Sequence, residues 1–228
     1  MVELLLKRYL WLIKWALDSF SFGELLLGNA SIADKILLEY IPSGREWLAP
    51  ILRALQQNRK LDIEYENFVG LKFKGTISPL CVKLFKRRWY VLALVYDKRF
   101  RIYSLDRITA LEVKKHKYIY PSEFLPSEFF ESYFGITAQT SEEPEAITLR
   151  VYDELRGYLK SLPIHHSQEI LKEDGDWMTV SVKVASTFDF IQEILSHREQ
   201  LEVLKPESLR NKIYSIISKM SDLYRGVE

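Results

Sequence analysis

Hydrophobic and polar positions change rhythm three times along this chain. Residues 3–18 are apolar nearly all round, broken by Lys7, Arg8, Lys14 and Asp18, and read as a helix that needs burial against something else. Ser31 with Asp34 marks the start of a second helix. Ser43 with Glu46 forms a capping-box pair for a third, through Trp47, Leu48, Ile51, Leu52 and Leu55, with Pro50 expected to kink it. From Leu61 the period shortens to two, and β-branched and aromatic residues predict strands over 61–67, 72–85, 88–96, 99–105 and 109–116. Asp97-Lys98 has the length of a tight hairpin loop, and Gly75 and Pro79 predict a bend in the long second strand.

Residues 118–136 are rich in aromatics and read as two short helical turns closed by Gly135. The polar stretch 137–145, with Pro144, is the expected linker. Strands and helices then alternate: strand 146–151, helix 153–162, strand 165–171, strand 177–184, helix 187–197, strand 200–204 and a last helix 207–224. That order predicts a split βαβ, ferredoxin-like sandwich. The expected class is therefore α+β. It comprises a helical N-terminal segment (1–60), a small β-barrel with its aromatic extension (61–136) and a C-terminal α/β domain (137–228).

Charge sharpens the picture. The 228 residues carry a net charge of only +1, yet residues 72–117 hold 13 Lys and Arg against 3 acids, so this β module is +10. A phosphate-bearing partner is expected there. By strand parity Tyr90 shares a face with Arg88, and Arg101 with Tyr103. Arg107 joins the second pair if the strand continues. Tyr90, Arg101 and Arg107, with Arg88 and Tyr103 beside them, are the candidate ligand-binding residues, because a guanidinium fork binds phosphate bidentately.

Between Trp15 and Lys35, Lys35 is the one basic residue, where a DNA-reading helix needs several. The four histidines lie on three elements without Cys or acid at metal-ligand spacing. No phosphate loop, nucleophile elbow or carboxylate pair is present, so neither catalysis, metal nor cofactor is expected. The single cysteine suits a cytoplasmic protein, and the N-terminus reads as neither a signal peptide nor a membrane span.

Trp89-Tyr90-Val91, followed by Arg101-x-Tyr103-Ser104-Leu105-Asp106-Arg107-Ile108, resembles the signature of WYL domains, with Val for the family's Leu. Tyr65 and Ser78-Pro79-Leu80 fall where that family has Tyr and Pro. Pro163-Ile164-His165-His166-Ser167-Gln168 and the stretch from Glu202 to Arg210 resemble the family's C-terminal extension. The resemblance implies an Sm-like (SH3-type) barrel in a bacterial, ligand-responsive transcription regulator. Here an intact winged helix-turn-helix is missing from the N-terminal segment. The expected function is a sensing module that binds a nucleotide or single-stranded nucleic acid, as a homodimer with a DNA-binding partner protein. An Sm-like RNA-binding protein is the first alternative. A metal-dependent nucleotide hydrolase using Asp106 is the second.

Overall fold

The computed structural model describes residues 44–96, 98–137 and 143–225. The expected helices at 3–18 and 31–40, and the expected absence of a DNA reader, lie outside the described residues. Helix α1 (Arg45–Gln56) begins at Gly44, whose φ of 101° and whose N–H bond to the Glu46 carboxylate (2.9 Å) cap it. A side chain could not stand at Gly44: its Cβ would come within 2.3 Å of the Leu105 carbonyl carbon. Pro50 lies inside α1, and the helix runs through it unbroken.

Five strands follow: β1 (Arg59–Glu66), β2 (Lys72–Phe85), β3 (Arg88–Leu94), β4 (Phe100–Ser104) and β5 (Ile108–Lys117). They form one antiparallel sheet in the order β4-β3-β2-β1-β5. None of the described pairings joins β4 to β5, so the sheet is open where closure into a barrel was expected. One face, through Leu61, Ile63, Ile77, Val91 and Ala93, packs with Ile51 and Ala54 of α1 into a core. The indole N–H of Trp47 donates to the Ile108 carbonyl at 3.0 Å and fixes α1 to β5. An aromatic strap lies against the sheet, where Phe100 of β4 meets Phe124 and Phe129 at 5.5 and 5.1 Å between centroids. Two helical turns were expected in this strap; one helix forms, α2 (Pro126–Glu131).

The second sheet orders its strands β7-β8-β6-β9, all antiparallel: β6 (Glu145–Tyr152), β7 (Glu169–Asp174), β8 (Trp177–Val184) and β9 (Leu201–Lys205). Helix α3 (Leu155–Ser161) joins β6 to β7, and α4 (Phe188–Ser196) joins β8 to β9. Inward positions of β6 and β8, among them Ile147, Leu149, Val180 and Val182, are fully buried against Phe190 and Ile194 of α4. The last helix, α5 (Glu207–Arg225), buries Leu209 and Ile213 in the same core. The class is thus mixed α and β with two antiparallel sheets. Among the described residues no helix is long and apolar enough to cross a membrane.

Candidate ligand site

The charge of the β module is distributed unevenly. Lys72, Lys74 and Lys114 pair with Glu66, Glu64 and Asp62 of β1 at 3.6, 2.6 and 2.8 Å. Those acids precede the +10 segment in sequence, so the segment's count overstates its field. Arg88 and Arg107 are arranged differently.

Leu105–Arg107 form a single 3₁₀ turn between β4 and β5. The Asp106 carboxylate there accepts a bond from Arg88 Nη1 at 2.8 Å and another from the Ser104 hydroxyl. Both its oxygens are engaged, which fits an anchor for arginine better than the metal-binding acid of the hydrolase reading. Tyr90 faces Ser104 across the β3–β4 pair and Lys83 across the β2–β3 pair. It is 8% exposed. Burial pushes its hydroxyl pKa up, against the pull of Arg88 and Arg107.

Arg107 stands over two rings, with its guanidinium carbon 4.6 Å from the Phe68 centroid and 5.6 Å from that of Tyr65. Arg88 lies 5.6 Å from the same Phe68 ring. Two guanidiniums therefore share one aromatic lid, which stays 76% exposed. The Asn67 carboxamide holds that loop by accepting the N–H groups of Val69 (3.1 Å) and Leu71 (2.8 Å). Tyr65 is pushed up in pKa by burial, and Arg107 opposes the shift.

Arg101 lies elsewhere. It pairs with Ala93, and Tyr103 with Val91, so both occupy the face opposite to Tyr90. The expected alignment of Tyr90 with Arg101 is thus corrected: the register separates them. Tyr103 is core, 6% exposed, edge-on to Tyr65 at 5.1 Å and stacked on Phe73 at 5.5 Å. On that side a cleft of about 380 Å³ is lined by Tyr65, Phe73, Tyr96, Arg99, Arg101 and Tyr103. Tyr65 touches both halves, Arg107 on one side and the cleft on the other. The sequence pattern does not single out Phe68, and it reaches Tyr65 only through the match to the family. An exposed Phe beside an Asn turn is the signal that could have found the lid.

Comparison with known proteins places the chain. Residues 46–113 match the WYL domain family, and residues 143–221 match the WCX domain family. No curated protein matches. Among solved structures, the Proteasome accessory factor B/C (PafBC) of Arthrobacter aurescens is similar at 15% identity and a TM-score of 0.38, over 78% of this chain and 27% of that one. A CRISPR Cas-related protein is similar at 12% identity and a TM-score of 0.45, over 81% of this chain and 54% of that one. The chain thus spans about a quarter of the first and about half of the second. The chain thus carries a WYL domain followed by a WCX domain, each matched in its own right.

Proposed function

We propose that this chain is the sensing module of a transcriptional regulator, and that its first sheet binds an anionic, nucleotide-like ligand or single-stranded nucleic acid. Arg88, Arg107 and Tyr90 supply one subsite. Arg101 and the cleft beside it supply the next, around the curve of an Sm-like sheet. The observation that carries this reading is the pair of guanidiniums at the Phe68 ring, Arg88 held by Asp106 and Arg107 stacked between Phe68 and Tyr65. Preorganised arginines beside exposed rings suit phosphates and bases together. The WCX sheet, a ferredoxin-like sandwich in this reading, holds a homodimer, and a partner protein reads duplex DNA. An RNA-binding role of the same sheet is the second reading, favoured by the exposure of Arg101 and Phe68.

Calorimetry with nucleotides and a short single-stranded oligonucleotide, at two salt concentrations, tests it. Arg107→Ala and Arg101→Ala should each lose about tenfold to a hundredfold in affinity, the cost of a charge-assisted contact. Lys114→Ala, already neutralised by Asp62, should lose little. Affinity should fall with salt at about 0.7 per phosphate engaged. Equal losses in Lys114→Ala would favour a diffuse RNA-binding surface, and unchanged binding in both arginine variants would refute the site.

A further inference from the structure

A second cavity, of about 500 Å³, opens between α3, the turn at residues 162–164 and the C-terminal part of α4. Ligand pockets fall in this size range and favour domain junctions. Its wall is apolar, with Phe134, Leu155, Leu159, Leu162 and Ile164. Leu155, Leu159 and Ile164 are buried beneath it, while Tyr158 and Leu162 stand 70% and 77% exposed at its mouth. Phe134 connects the cavity to β2 and to α4, edge-on to Phe85 at 5.7 Å and to Phe190 at 5.9 Å.

One end of the cavity is polar. Glu193 lies 3.5 Å from His197 Nε2, and its other oxygen lies 3.0 Å from Lys86 Nζ. The His197 ring, then Lys86, holds the Glu193 carboxyl below the usual range. At 3.5 Å the Glu193–His197 contact is a long one outside hydrogen-bond geometry: among the described residues His197 Nε2 is buried and makes no hydrogen bond, so the Glu193 oxygen beside it can still accept one. Lys86 already neutralises Glu193. An anionic ligand would be repelled by the carboxylate, and an ammonium ion would have to compete with Lys86. A neutral N–H or O–H donor meets neither penalty.

We propose that this cavity binds a small neutral aromatic molecule, its rings against Phe134, Leu159 and Ile164 and its single donor on Glu193. This site is separate from the arginine cluster and does not depend on the reading of that cluster. Indole is the probe, and 1-methylindole, which lacks the N–H, is its control. Isotope-labelled full chain titrated with indole should show saturable shifts at Phe134, Tyr158, Ile164 and His197. 1-Methylindole should bind at least fivefold more weakly. Leu162→Glu sets a charge at the exposed mouth, where it should leave the melting temperature unchanged yet weaken indole at least tenfold. Arg107→Ala should bind indole as wild type does. Absence of saturable shifts, or equal binding by Leu162→Glu, overturns the site. Equal binding of 1-methylindole overturns the assigned donor, and loss of indole binding in Arg107→Ala overturns its independence.

Discussion

Asp189 Oδ2 accepts the backbone N–H of Thr137 at 2.7 Å and that of Ile136 at 2.8 Å. One carboxylate in the first turn of α4 thereby fixes the chain that leaves the aromatic strap. Gly135, at φ 82°, makes room for it, since a Cβ there would lie 2.5 Å from the same oxygen. Lys83 of β2 closes the junction from the other side, its ammonium donating to the Gly135 carbonyl at 2.5 Å and lying 4.0 Å from the Phe130 ring. The two sheets are therefore tied through one short segment.

Asp189→Ala should destabilise the chain by about 1–3 kcal/mol, because it leaves two part-buried N–H groups without their acceptor. Gly135→Ala should cost a comparable amount, from the left-handed backbone and the clash with Asp189. Urea unfolding of the two variants measures both. Wild-type midpoints would show that the clamp contributes nothing.

His165 supplies a pH dependence. It is 8% exposed, with Nδ1 2.7 Å from the Ser167 hydroxyl. Burial, then the neighbouring His166, lowers its pKa from 6.5 to about 4. The folded state thus keeps His165 neutral where the unfolded chain takes up a proton. Its contribution is complete above pH 6.5 and is lost as pH falls toward about 4, on the order of 3 kcal/mol over that window. NMR titration should place its midpoint near 4. His165→Asn should flatten the acid limb of stability between pH 6.5 and 4, and an unchanged limb would assign it to other groups.

The site was half legible in the sequence, and the reason is a single residue. A two-residue loop at Asp97-Lys98 would place Tyr90 opposite Leu105, on the face of Arg101 and Tyr103. Instead Val95 donates to Arg99 at 3.0 Å, Lys98 donates to Val95 at 2.9 Å, and Lys98 takes a φ of 60°. Three residues separate Val95 from Arg99, the turn with a final left-handed residue that hairpins also use. The one-residue shift sets Tyr90 against Ser104 and moves it to the other face. Parity within a strand was readable from alternation; register between strands depended on a turn without Gly or Asn to announce it. The cluster of Arg88, Asp106 and Arg107 was approachable because its members lie close to turns, whereas Phe68 reaches it from the β1–β2 loop.

That turn gives its own test. Lys98→Gly removes the strain of a side chain at positive φ, offset by the greater freedom of glycine when unfolded. The net should be a stabilisation of a few tenths to about 1 kcal/mol in thermal unfolding. Lys98→Val should destabilise by more than 1 kcal/mol, since a β-branched residue tolerates this region poorly. Equal stability of the two variants would contradict the three-residue loop.

The last helix carries the assembly prediction. Leu209 and Ile213 seat α5 on its own sheet, and Ile216 packs partly against the same core. Beyond them the apolar stripe continues without cover from the described residues: Ile217, Met220, Leu223 and Tyr224 are all exposed. A 19-residue helix is about 28 Å long at 1.5 Å per residue, so its second half runs past the contacts that fix its first half. Contiguous apolar surface of this kind marks an interaction face, and a second copy offers the same stripe for self-complementary packing. Sedimentation at micromolar concentration should therefore give twice the 26.9 kDa of one chain. Ile217→Glu and Met220→Glu, both at positions exposed in the single chain, should shift it to monomer while leaving circular dichroism unchanged. A wild-type monomer, or charged variants that still dimerise, would move the interface away from α5. Its terminal turns would then have to be covered by another partner.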